Sequence, residues 1–384
     1  MNSLEKGVLT LIKSALTGKQ FALPDNFDAQ AAVKIAKAHQ ISTLVCFGAK
    51  TCKFADELAM DRLLVDAYQF TIVSEVQTEL VEKLTALFKK ENIDYMLLKG
   101  ASIKSIYPSP EMRAMSDIDI LIRPEQYDKI SKAMCLLGFK EVTQSDHELI
   151  WKKQKLTVEL HKRLIPSYNK DFYAYFGDGW ALAQKQQASC YKMSAEDEFV
   201  FVFTHLAKHY RDAGIGLKHF VDVFLLLENT DLNKEYVLDA LKKLKLDEFY
   251  INVIKTLNAW FNGGQEDEIT TLITKTVFSG GAYGKGENHI LSEAVKKDKR
   301  EFRIKKLFSL AFLSLDKMQK RYLCLNRFPI LLPVFWVVRW VQILLFKRKN
   351  FNRQMQQIKN ATNQKINEYQ LNLNTVGLNF NFKE

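Results

Sequence analysis

Arg113-Ala114-Met115-Ser116-Asp117-Ile118-Asp119-Ile120-Leu121-Ile122 is the stretch on which the fold turns. From Asp117 onward, acidic and apolar residues alternate with the period of a half-buried β-strand. Successive side chains on a strand point to opposite faces, so Asp117 and Asp119 share one side while Ile118, Ile120 and Ile122 meet a core. Aspartate is depleted in strands, and two carboxylates on one face repel each other unless positive charge lies between them. A divalent cation answers that need. Magnesium takes oxygen ligands, commonly one or two carboxylates plus substrate phosphates. A pair of such ions can clamp the attacking and leaving oxygens of a phosphoryl transfer. The plainer alternative is a surface strand carrying exposed aspartates.

Working outward, Tyr95-Met96-Leu97-Leu98 reads as a short buried strand ending at Lys99-Gly100, with a helix to follow. A glycine there lets backbone N–H groups approach a phosphate, and a helix N-terminus favours anions. Lys99 or Ser102 could add charge or a hydrogen bond. The GxxxxGK[ST] spacing of a Walker loop is absent. Pro108 and Pro110 mark a loop. Pro124 opens a helix that runs to about Leu137 and closes at Gly138. Two more strand-like runs follow, His147–Lys152 and Leu156–Leu160. In Thr157-Val158-Glu159-Leu160-His161, Val158 and Leu160 face one way and Thr157, Glu159 and His161 the other. Glu159 is then either a third carboxylate, completing a metal site or accepting a proton from a nucleophile, or an exposed residue on an edge strand. His161 could shield the site or touch phosphate.

Lys99-Gly100, Arg113-x-x-Ser116-Asp117-Ile118-Asp119 and Val158-Glu159-Leu160-His161 together resemble the polymerase-beta-type nucleotidyltransferase superfamily. Within it they are most similar to a bacterial family with an LKG…RxxSDIDIL…VELH pattern. The later segments His205-x-x-x-His209, Leu217 to Asp222, Tyr283-Gly284 and Leu331-Leu332-Pro333 before Trp336 and Arg339 also look like that family. The resemblance implies an NTP donor and Mg²⁺ (or Mn²⁺). It makes Asp117, Asp119 and Glu159 both metal ligands and catalytic residues, with nucleotide contacts from Lys99, Gly100, Ser102, Arg113, Ser116 and His161. The superfamily's usual Gly-Ser pair is here Gly100-Ala101-Ser102. The implied reaction moves an NMP group to an acceptor hydroxyl and releases pyrophosphate. The resemblance does not supply the acceptor. No aromatic-basic nucleic-acid module stands out, which ranks a small molecule or a protein above RNA. The alternative is a catalytically inactive nucleotide-binding or scaffold module.

The rest of the chain sets the frame. An α+β protein is expected, with a helical N-terminal region (1–90), a small mixed-sheet α/β core (91–190), a helical C-terminal domain (191–349) and a polar tail (350–384), partly helical or disordered. Over Ala55–Lys90, Val73, Val76, Leu80, Leu84 and Leu87 recur at the spacing of an amphipathic helix. His205 and His209 lie four apart on one helical face. They either bind a metal with His219 and Asp222, pack two helices, or line a cleft together with Lys218 and Asp222. Arg211, Lys218 and Lys285 either meet a triphosphate or belong to a solvated surface. Phe328–Phe346 is the most apolar stretch. Pro333, Arg339 and Gln342 argue against a membrane span, leaving a buried helix, the favoured reading, or an interfacial helix that contacts an anionic membrane through residues 328–349.

Apolar content of 47% supports real cores, and a net charge of +11 fits a partner bearing phosphates or an unspecific basic surface. Five cysteines without a CxxC pair point to reduced thiols in a cytoplasmic protein rather than to a disulfide framework or zinc ribbon; the interfacial reading of residues 328–349 would place it peripherally at the inner face of the membrane. The first nineteen residues do not read as a signal peptide.

Overall fold

The computed structural model describes residues 1–52, 54–212, 214–281, 286–296 and 302–378. It is α+β, as expected, and forms two compact units. One comprises Met1–Tyr210, Ile215–Gly284 and Val376–Glu384; the other comprises Arg211–Gly214 and Lys285–Thr375.

Helices open the first unit. Asn2 and Glu5 form a reciprocal capping box at the start of Ser3–Thr17, and Gly18, at φ 67°, ends that helix in the left-handed region. Asp28 and Asp56 cap Ala29–Ala38 and Glu57–Lys90. A Cβ on Gly48 would stand 1.9 Å from the Leu11 carbonyl oxygen, so Ser42–Thr51 crosses the first helix at a distance only glycine allows. The long helix departs from its expected stripe. Leu80, Leu84 and Phe88 are buried, but Val73 and Val76 are exposed, and Ser74 and Gln77 turn inward instead. The reason is polar pairing: the Gln77 amide donates to the Met115 carbonyl at 3.2 Å, and Lys104 donates to Ser74.

Seven strands follow: β1 (Tyr95–Leu97), β2 (Ile118–Ile122), β3 (Lys140–Gln144), β4 (Glu148–Lys153), β5 (Leu156–His161), β6 (Gln184–Gln187) and β7 (Cys190–Lys192). Their order is β3-β4-β5-β2-β1-β7-β6. The sheet is mixed: β2 runs parallel to β5 and β1 to β7, and the other pairs are antiparallel. One face carries Ile118, Ile120, Ile122, Leu149, Trp151, Val158 and Leu160. It is closed by Leu84 and Phe88 of the long helix and by Ile130 and Met134 of Tyr127–Leu136. The opposite face carries Asp119, Glu159 and His161 beside the buried Met96 and Leu121. Strands β3, β6 and β7 were not expected. β3 and β6 form the sheet's edges, are mostly exposed and lack an apolar alternation.

In the second unit, Ile290, Leu291, Ala294, Phe302, Ile358, Ala361 and Ile366 form the core. The Asn- and Gln-rich stretch, left open between helix and disorder, forms helices Arg348–Asn360 and Asn363–Thr375. The expectation of burial for Phe328–Phe346 is corrected. It folds as Leu332–Gln342 running into Ile343–Lys347, with only 11% of Pro329–Phe346 buried. Tyr283, Gly284 and Lys285 lie outside the described residues.

Candidate active site

Parallel pairing of β2 with β5 aligns Asp119 with Glu159, and antiparallel pairing of β5 with β4 aligns His161 with Glu148. Because side chains alternate, all four stand on the face away from the apolar core. Asp117 precedes β2 by one residue and shares the side of Asp119. Lys99, at the end of β1, donates from Nζ to Asp119 Oδ1 at 2.7 Å, and His161 Nε2 lies 2.7 Å from the same oxygen. His161 Nε2 is 3.9 Å from Glu159 Oε2, and its Nδ1 is 3.8 Å from Glu148 Oε2. His147 completes the row, its ring centroid 5.1 Å from that of His161.

The charges in this group are unevenly balanced. Burial alone would raise the Asp119 carboxyl, but Lys99 and His161 outweigh it and hold that group well below the usual carboxylate range. Lys99 resists burial in return: Asp119, with Asp117 and Glu159, keeps it above its ordinary value. Asp117 is raised by burial and by its neighbour Asp119. Glu159 is pushed up to about 7 by burial, then by Asp117, Asp119 and Glu148. Lys218 is lowered to about 8 by burial and by Arg113. Asp117 and Glu159 therefore lack enough positive charge around them to hold their ionised forms as firmly as Asp119 is held.

A hard divalent cation would supply the positive charge that this group lacks, and the donor set suits one. Ligand atoms of Asp119, Glu159 and His161 lie within 4.8 Å of one another. Carboxylate oxygens are the ligands magnesium and manganese prefer. His147, Glu148 and His161 form a second such group.

The junction after β1 is built for close approach. Lys99 adopts φ 49°, a region non-glycine residues seldom visit outside functional or strained positions. A Cβ on Gly100 would fall 2.8 Å from Met115 Cγ and 3.3 Å from Arg113 Nη1. The following helix, Gly100–Ile103, is a single turn, and Ser102 Oγ donates to Glu198. Arg113 does not point its fork at open space. Its Nε and Nη2 donate to Asp222 Oδ1 and Oδ2 at 2.7 and 2.8 Å, and its Nη1 to the Ala114 carbonyl at 2.7 Å. Tyr107 adds a bond to Asp222 at 2.6 Å. Asp222 is thus committed to Arg113 and Tyr107 rather than standing as a ligand beside His219. Ser116 is exposed, with Oγ 3.3 Å from Gln40 Oε1, and Lys218 Nζ donates to that same oxygen at 3.1 Å.

His205 and His209 do share a face, with ring centroids 4.3 Å apart, and His219 stands 6.1 Å from each. Burial, then neighbouring positive groups, hold His205 and His219 well below the ordinary imidazole value. Arg211, in the other unit, is buried with Nε 3.3 Å from Asp212. A cavity of about 380 Å³ lined by Lys13, Tyr107, Phe224, Glu228 and Phe261 contains none of the clustered acids and lies apart from this site. Sequence reasoning passed over His147, Glu148 and Gln40. The first two carry the same alternation signal as Glu159, but only the strand pairing reveals whom they face.

Asp117 and Asp119 at the start of β2, Glu159 beside Asp119 in register and Lys99 at a strained turn make up the candidate site. The chain belongs to the nucleotidyltransferase family described as "Uncharacterised nucleotidyltransferase", which matches residues 25–262. It is a nucleotidyltransferase, in agreement with the polymerase-beta-type resemblance of its motifs. No curated protein matches the chain. Two solved structures of the antibiotic-resistance factor ANT(2'')-Ia are similar. One, a solution structure, has 12% identity and a TM-score of 0.34, covering 48% of this chain and 97% of that chain. The other, a crystal structure with adenylyl-2''-tobramycin, has 13% identity and a TM-score of 0.34, covering 44% and 97%.

Proposed function

We propose that this protein moves an NMP group from an NTP to the hydroxyl of a small molecule or a protein, with Mg²⁺ or Mn²⁺ as cofactor. The single observation that carries the reading is the alignment of Asp119 with Glu159 across β2 and β5, with Asp117 on the same side. Asp117, Asp119 and Glu159 are the residues that would hold the metal. When bound, it supplies charge neutralisation at the triphosphate. Lys99 fixes Asp119 in place and adds positive charge beside it. Lys218, lowered to about 8, brings a second cation near Asp117 and Asp119. Gly100 lets Met115 and Arg113 pack against the turn that carries Lys99, and Ser102, Ser116 and His161 are the further candidates for nucleotide contact.

In the transfer, the acceptor oxygen bonds to the α-phosphorus as the bond to the β-phosphate oxygen breaks, and pyrophosphate carries away the leaving electron pair. Glu159 would either complete the metal's ligands or, where it is not bound to the ion, receive the acceptor's proton; in the metal-free protein burial and its acidic neighbours push it up to about 7. Positioning and charge neutralisation supply most of the acceleration in such reactions. His205, held well below the ordinary imidazole value by burial, stands beside His209 with ring centroids 4.3 Å apart.

A catalytically silent nucleotide-binding or scaffold module would have no use for carboxylates forced together at the expense of their ionisation. We place the reaction in the cytoplasm, a reading supported by five free cysteines. Incubation of the protein with labelled NTPs, Mg²⁺ and cell extract tests the proposal. Label transfer with pyrophosphate release supports it. NTP binding without either product favours the silent module.

A further inference from the structure

The helix Leu332–Gln342, with its continuation Ile343–Lys347, is turned inside out. Its polar residues face the protein. Arg339 is buried, donating to the carbonyls of Ala311 and Leu310 at 2.9 Å each, and Gln342 Oε1 accepts from Tyr322 at 2.9 Å. Its apolar residues face outward: Val334, Val337, Val338, Val341, Leu344 and Leu345 are all exposed, Val337 by 63% and Leu345 by 68%. Their spacing of three and four residues makes them one continuous face. Phe308, Phe312 and Phe328 extend it. A water-facing helix has the reverse arrangement, and apolar patches this continuous mark interaction sites.

Charge identifies the occupant. From Lys317 to Asn367 the chain holds eleven lysines and arginines and no aspartate or glutamate. Arg321, Arg327, Arg348 and Lys349 are exposed around the apolar face. A second copy docking on this face would bring the same positive charge against itself. An anionic bilayer offers both what the apolar face lacks and what the basic rim attracts. The helix is long and apolar enough to cross a membrane. Its inner side, however, is bonded to neighbouring helices, with Trp336 Nε1 donating to the Leu313 carbonyl at 2.9 Å, and a span surrounded by lipid would lose those bonds.

We propose that the helix Leu332–Lys347 lies in the interface of an anionic lipid bilayer, apolar face down, with the surrounding lysines and arginines on the headgroups. This contact is independent of the transfer chemistry. It would hold a cytoplasmic protein at the inner face of its membrane.

Flotation of the full chain with vesicles tests it. Wild type should float with vesicles containing phosphatidylglycerol and stay at the bottom with pure phosphatidylcholine. The paired change Val337→Asp and Leu344→Asp should abolish flotation, and Arg348→Glu with Lys349→Glu should weaken it on the order of tenfold or more, at roughly fivefold per basic residue. Circular dichroism and NTP binding should stay at wild-type levels in both variants. Failure of the wild type to float, or equal flotation on neutral and anionic vesicles, would overturn the proposal. So would a wild-type dimer in solution that Val337→Asp converts to monomer, since the occupant would then be a second copy.

Discussion

Asp119 and Glu159 sit side by side in the parallel pairing of β2 with β5, yet their carboxyl groups are driven in opposite directions. Lys99 and His161, both 2.7 Å from Asp119, keep that group ionised, whereas at Glu159 burial and like charge outweigh the more distant Lys99 and push the carboxyl up to about 7. Neighbouring acids with such different environments take different roles in a reaction.

Asp117→Asn and Asp119→Asn should each abolish transfer, by at least the 10²–10³-fold typical of losing one charge-stabilising group. Their effects on stability should differ. Asn at 117 removes repulsion from a group that burial already disfavours as an anion, so the melting temperature should hold or rise. Asn at 119 leaves Lys99 without its partner and should destabilise the fold, by up to roughly 3–5 kcal/mol. Thermal denaturation of both variants, beside a pyrophosphate-release assay, checks the contrast.

Glu159 gives a pH signature. Its folded-state value, about 7, lies above the ordinary 4.5, so between those pH values the folded protein binds more protons than the unfolded chain. Without metal, its contribution to stability should therefore be fully present below pH 4.5 and should decline as pH rises through 7. Mg²⁺ should restore more stability at pH 8 than at pH 5, since the ion needs the deprotonated carboxylate. Glu159→Gln should flatten both trends. Melting curves at the two pH values, with and without Mg²⁺, read this directly.

Arg113 and Asp222 should behave as one unit. Each is almost fully buried, and Tyr107 shares Asp222 with the guanidinium. Arg113→Ala or Asp222→Ala alone should cost about 3–5 kcal/mol, because either leaves an unpaired buried charge. The double variant should cost clearly less than the sum. A denaturant-unfolding cycle measures the coupling, and additive losses would mean that the pair does not act together.

Gly100→Ala should lower transfer more than stability. The new methyl would press on Met115, whose flexible side chain can move, at roughly 1–3 kcal/mol. That displacement shifts the turn carrying Lys99. Steady-state kinetics should show a large drop in kcat, against a melting temperature lowered by only a few degrees.

Much of the site was legible because alternation on one strand is a local property. Asp117, Asp119, Glu159 and His161 could be assigned to faces from their own neighbours. Pairing is not local. Alternation alone does not tell that β5 lies beside β2, which only the family resemblance implied, or that Glu148 comes opposite His161, and so His147 and Glu148 went unread. Arg113 and Asp222 illustrate the same limit at longer range, since their contact joins positions 109 residues apart. Val73 and Val76 show propensity overruled by context, because Ser74 and Gln77 find polar partners inside. Pro329–Phe346 misled for a different reason: apolar composition alone does not say which way a helix faces, and only 11% of this one is buried.

Mn²⁺ binding followed by electron paramagnetic resonance, with a non-hydrolysable ATP analogue present, tests the metal site most directly. Wild-type protein should remove the free-ion signal with saturable binding, and Asp117→Asn and Asp119→Asn should each leave most of that signal in place. Binding of Mn²⁺ by both variants as tightly as by wild type would contradict the assignment of these carboxylates as the metal's ligands.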